Sequence, residues 1–177
     1  MGMAAAGGYG RVLWLHGSGQ TGEESRAQVA PYFAAPELAS VRFSFPTAPT
    51  SSIPCYGALA IASVLLYPMT LGGCVVFSGS LPLSKTFAES IPSEARKTPV
   101  LWFHGMADGV VLFEAGHAGC AFLQEIGMHC EFKVAYPTLG HTLVDEELQY
   151  FRQWIKDRLS QGTGVPVPSL SDKMDLQ

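Results

Sequence analysis

The sequence predicts an α/β domain in which a parallel sheet of about five strands carries helices on both faces. Three observations point there. Val12-Leu13-Trp14-Leu15-His16-Gly17 and Val100-Leu101-Trp102-Phe103-His104-Gly105 are short, uninterrupted apolar runs that stop at a glycine turn, the mark of strands covered on both sides. Helical patterns stand between and after such runs, the clearest from Val144 to Leu159, where Leu148, Phe151, Ile155 and Leu159 share a face behind an acidic first turn. With 177 residues and 47% hydrophobic content the chain suits one core and not two.

In order, Arg11 to His16 reads as the first strand and Gly17 to Gly22 as a glycine-rich turn. Its glycine spacing fits neither a phosphate loop nor a dinucleotide fingerprint, and no Lys follows it. Glu23 to Ala35 gives a short helix that Pro31 and Pro36 keep irregular; Val41 to Phe45 is the second strand, and Pro46 to Pro54 a proline-rich loop. Ala58 to Tyr67 is an uncharged, buried helix stopped by Pro68. Cys74 to Ser78 is the third strand, Gly79 to Pro99 a long connection with a short helix near Phe87 to Ser90, and Val100 to His104 the fourth strand. Phe113 to Ile126 is a helix closed by Gly127, and Cys130 to Tyr136 the fifth strand. Residues 1–10 and 160–177 lack apolar periodicity and are expected to be disordered, which leaves 11–159 as the domain.

Composition excludes several partners. A net charge of −4 without a Lys/Arg cluster argues against nucleic acid. No charge occurs from Phe43 to Ser84, yet Pro68 and Gly72-Gly73 interrupt the apolar stretch, so a helix, a turn and a strand explain it better than a transmembrane segment. The amino terminus has neither a basic region nor a long apolar run, so no signal peptide is expected. Cys55, Cys74, Cys120 and Cys130 have no paired spacing and fit reduced thiols of the cytosol or nucleus; no His, Cys, Asp and Glu grouping suits a metal, and no cofactor is expected.

Val12 to Gly22, Pro46-Thr47-Ala48-Pro49, Ala58 to Pro68, His104-Gly105-Met106-Ala107-Asp108 and Leu139-Gly140-His141 together resemble the acyl-protein thioesterase and carboxylesterase branch of the α/β-hydrolases, most like its plant-type members. The resemblance reaches from Arg11 to about Leu159 and implies hydrolysis of carboxylic esters or acyl thioesters, with lipidated proteins among the acyl carriers. It also implies site residues. Asp108 and His141 match the last two triad members, in the chain order such enzymes use; taken alone, each is an ordinary loop residue. Ser18 matches an oxyanion loop, and Leu81 and Leu83 lie where the family borders its acyl channel, although a plain surface loop suits them equally. His16 and His104 read as structural strand ends.

The departure from the family lies between Pro49 and Ala58. No Gly-x-Ser-x-Gly occurs anywhere in the chain, and the several dozen residues that the family carries there are missing. Aligning Gly57-Ala58-Leu59 with the end of the family's elbow puts the serine on Pro54, the second oxyanion donor on Cys55 and a packing glycine on Tyr56. Cys55, near a helix amino terminus, is the one plausible substitute nucleophile. The missing piece corresponds to one αβ unit, and if its flanks close up the five strands take the order 2-1-3-4-5, giving a three-layer α/β-hydrolase remnant. Two functions follow: a hydrolase by family whose chain is inactive for want of its serine, or a non-catalytic remnant that binds a lipid-like ligand or a partner.

Overall fold

The computed structural model describes residues 10–49, 58–134 and 136–161, and within them every expected strand and helix forms. The expectations for Pro54, Cys55 and Tyr56, for residues 1–9 and for 162–177 lie outside the described residues. The first strand, β1 (Arg11–Leu13), pairs in parallel with β2 (Arg42–Ser44), register Val12 to Phe43. Between them runs α1 (Gly22–Phe33), started by a capping box in which the Thr21 hydroxyl accepts from Glu24 N–H while the Glu24 carboxylate accepts from Thr21 N–H. The helix continues through Pro31.

Helix α2 (Ala58–Leu65) is only eight residues long and not the buried helix expected to Tyr67: Ile61 and Leu65 face the core, whereas Ala60, Ser63, Leu66 and Tyr67 are exposed, so one side of this uncharged stretch stays uncovered. Among the described residues no helix is long and apolar enough to cross a membrane. It is followed by β3 (Cys74–Phe77), α3 (Lys85–Ser90), β4 (Val100–His104), α4 (Phe113–Glu125), β5 (Cys130–Val134) and α5 (Asp145–Gln161). The three later strands form a second parallel sheet in the order β3-β4-β5. The middle strand β4 is buried along its whole length, as its unbroken apolar run requires. The final helix runs to Gln161, two residues past the domain end expected from sequence.

The single five-stranded sheet in the order 2-1-3-4-5 is not formed. Two parallel sheets, of two and three strands, stand instead, and β3 does not pair with β1. The reason lies in the core on the face shared by α1 and α5. Phe151 of α5 meets Phe33 of α1, Trp14 just beyond β1 and Phe77 of β3, with ring centroids 5.6, 6.1 and 5.9 Å away. Moving β1 against β3 by one strand spacing, about 4.8 Å, would drag the whole β1-β2-α1 layer across α5 and strip Phe33 and Trp14 from that ring. The aromatic cluster holds the gap open.

The opposite face shows the same loss. There α2 and α4 cover β3-β4-β5 through Ile61, Leu65, Trp102, Cys120 and Leu123. Among the described residues no helix covers β1 on that side, so Leu13 is 63% exposed and Leu15 42%.

Candidate active site

Two loops at the carboxyl end of the second sheet are joined by their backbones. After β4 the chain turns at Gly105, and Ala107 N–H donates to the Leu139 carbonyl at 2.9 Å, while Met106 N–H donates to that of Tyr136 at 3.3 Å. Gly105 is required at this crossing, because a Cβ there would lie 2.2 Å from the Leu139 carbonyl oxygen. The crossing sets the loop after β4 directly beside the one after β5.

Asp108 sits at the centre of this junction, only 4% exposed. One of its oxygens, Oδ1, accepts from the backbone N–H groups of Val110 and Val111, both at 2.9 Å, a local turn that short acidic side chains favour. The other, Oδ2, accepts from His141 Nδ1 at 2.8 Å. Burial alone would disfavour the charged carboxylate, but the hydrogen bonds from His141, Val111 and Val110 outweigh it and hold the Asp108 carboxyl below its ordinary range. Because Nδ1 faces a carboxylate it carries the proton, which leaves Nε2 of His141 as the free basic nitrogen, on a side chain 40% exposed. That geometry suits a general base.

The other sequence-predicted residues lie elsewhere. Ser18 is exposed in the turn after β1, where Gln20 N–H donates to the Gly17 carbonyl at 3.2 Å, and so belongs to the smaller sheet. His16 ties that turn to the proline-rich loop: its Nδ1–H donates to the Gly17 carbonyl at 2.8 Å and its Nε2 accepts from Ala48 N–H at 3.0 Å. Leu81 is buried in the core with Ile61 and Ile91, whereas Leu83 is 51% exposed. The three described cysteines, Cys74, Cys120 and Cys130, are buried, and burial pushes the Cys74 thiol up to about 12, away from nucleophilic chemistry. Among the described residues no His, Cys, Asp and Glu group could hold a metal ion.

Sequence reasoning read His104 only as a structural strand end, and the structure sets it against the pair. His104 is fully buried and touches Asp108, its Nε2 being 3.5 Å from Oδ2. Its place four residues before Asp108, at the inner end of a buried strand, was the available signal.

A sequence profile described as Phospholipase/Carboxylesterase matches residues 56–159. A protein of Oryza sativa subsp. japonica named as a probable carboxylesterase is 74% identical over 236 positions, covering all of both chains. Since this chain has only 177 residues, 74% of 236 positions accounts for nearly all of them, and the two differ chiefly where this one has no residue. A second rice protein, named as a probable inactive carboxylesterase, is 34% identical over 82% of this chain and 83% of its own. The crystal structure of Arabidopsis thaliana SOBER1 superposes with a TM-score of 0.77 at 33% identity, over 85% of this chain and 99% of that one.

Proposed function

Since the chain belongs to the phospholipase/carboxylesterase family and has its α/β-hydrolase fold, we propose that it is a form of an ester or acyl thioester hydrolase that keeps the acid-base pair and lacks the nucleophile. One observation carries this reading: Asp108 and His141 are hydrogen-bonded at 2.8 Å at the carboxyl edge of the sheet, in a chain without any Gly-x-Ser-x-Gly. In a working serine hydrolase the carboxylate would fix the imidazole tautomer and the imidazole would take the serine proton and return it to the leaving group. Here the base has only water to activate. Removing the serine of such an enzyme costs about a millionfold in kcat, and losing one oxyanion donor costs roughly a hundredfold to a thousandfold. Ser18 would supply one donor without a partner.

The rice relative named as inactive supports an inactive reading within the same family. A second reading, a remnant that binds an acyl ligand or a lipidated protein without turnover, draws on the exposed apolar side chains of Leu83, Met106, Val110 and Leu112 on the loops after β3 and β4. Both readings make the same prediction for covalent labelling. The folded chain, incubated with a serine-directed fluorophosphonate, is expected to show no adduct by intact mass. Stoichiometric labelling of one serine, abolished by His141→Ala, would reveal a replacement nucleophile and overturn the proposal.

A further inference from the structure

Beneath the pair lies a group that its chemistry does not use. His104 is 0% exposed, and its Nε2 lies 2.9 Å from the Val111 carbonyl oxygen. A carbonyl only accepts, so Nε2 carries the proton. Its Nδ1 has no hydrogen-bond partner and rests against α4, where a Cβ on Gly116 would lie 2.1 Å from it. A buried polar atom left unsatisfied costs stability, and a leucine would fill the same core without that cost. Packing alone does not explain the imidazole.

Its bonds do. Val111 closes the turn that begins at Asp108, and the same residue offers its N–H to Asp108 Oδ1 while its carbonyl receives His104 Nε2–H. The ring is held from the other sides by Phe113, edge-on at 6.1 Å, and by Phe132, stacked at 6.5 Å. The donor therefore comes from the rigid end of the central strand β4, and it reaches the loop residue that fixes the carboxylate. The same Nε2 lies 3.5 Å from Asp108 Oδ2, the oxygen that faces His141. We propose that His104 is a positioning residue, which by donating Nε2–H to the Val111 carbonyl locks the turn from Asp108 to Val111 and aims Asp108 at His141.

The inference rests on the reading of Asp108 and His141 as an acid-base pair, but its test reads a tautomer and not turnover, so the two can fail separately. Two-bond ring correlations in the protein labelled with 15N-histidine report which nitrogen of each imidazole is protonated. In the unaltered chain, His104 is expected as the Nε2–H form with a bare Nδ1, and His141 as the Nδ1–H form. In His104→Leu, which has no donor, the Nδ1–H form of His141 is expected to fall from the major to the minor population. In His104→Gln, whose amide sets an N–H near the Nε2 position, it is expected to be retained. A folded His104→Leu variant in which His141 keeps the Nδ1–H form overturns the proposal, as does a His104→Gln variant that loses it. Should the leucine variant not fold, the unaltered chain decides: His104 protonated on Nδ1 would be incompatible with the bond to Val111 and would overturn the inference by itself.

Discussion

Replacing Gly105 by alanine tests whether the contact between the two loops holds the pair together. The new Cβ would stand 2.2 Å from the Leu139 carbonyl oxygen, 2.8 Å from its carbon and 3.0 Å from the Gly140 carbonyl oxygen. All three atoms are backbone, so no side chain can rotate away, and an ordinary carbon-oxygen contact needs about 3.3 Å. The loops must therefore part by about 1 Å. Leu139 O is also the acceptor for Ala107 N–H, and His141 lies two residues beyond it, so the displacement passes directly into the 2.8 Å bond to Asp108. Added by about 1 Å, the separation would exceed the reach of a hydrogen bond. Overpacking costs about 1–3 kcal/mol and a bond to a charged group contributes about 1.5–3 kcal/mol. Since the two losses overlap, about 3 kcal/mol is expected, or a fall in Tm of roughly 6–12 °C for a domain of this size. Gly140→Ala is the control, because its Cβ would meet only Ala107 O at 3.8 Å. Calorimetry and the His141 ring spectrum read both consequences. A Gly105→Ala chain that melts with the unaltered one and keeps the His141 Nδ1–H form would show that the crossing does not hold the site.

The open gap predicts that Leu13→Asp, on the bare face of β1, changes stability by no more than about 0.5 kcal/mol, whereas Leu101→Ala in the middle of β4 costs about 2–5 kcal/mol; urea unfolding compares them. Asp108→Asn should destabilise the chain at neutral pH, and the difference should close as pH falls. The folded carboxyl lies below its usual 3.8, so its contribution is complete above that pH and is lost as pH drops through the folded value. Melting curves at pH 7 and pH 3 check the sign. Glu147 is the opposite case: burial raises its carboxyl above 4.5, outweighing the bond from Val144 N–H, so its charge opposes folding above the folded value and is neutral below 4.5. Glu147→Gln should raise Tm at pH 7 and leave it nearly unchanged at pH 4.

Elements were legible where local pattern decides them. Apolar runs ending in His-Gly mark β1 and β4, and Pro68 and Gly127 sit just past the helices they stop. The helix α1 runs through Pro31: with the Thr21 capping box at its start and Val29 and Phe33 in the core, it tolerates the bond lost there. Strand order was not legible, because it depends on Phe33, Phe77 and Phe151, far apart in sequence, meeting Trp14 on one helix face. Resemblance to the family implies that a unit is missing. Whether the flanks then close depends on three-dimensional packing. The role of His104 was hidden for a related reason, since a histidine ending a buried strand looks the same whether its proton meets a carbonyl or nothing.

The gap also divides the chemistry. Asp108 and His141 hang from β4 and β5, which remain neighbours with full register from Val100 to His104 opposite Cys130 to Val134. Ser18 hangs from β1, in the sheet on the far side of the gap. The family's nucleophile would follow the strand that is absent from between them. On the proposed reading, one lost αβ unit would remove the nucleophile and also the strand that holds the loop of Ser18 in register with the base, so restoring a serine by point substitution near Ala58 is expected to leave the chain without esterase turnover. Inserting the residues that the 74% identical relative has and this chain lacks should return both. An activated-ester assay on the two variants separates these causes: turnover by the point variant alone would show that the base and Ser18 were already in place and that the gap is catalytically harmless.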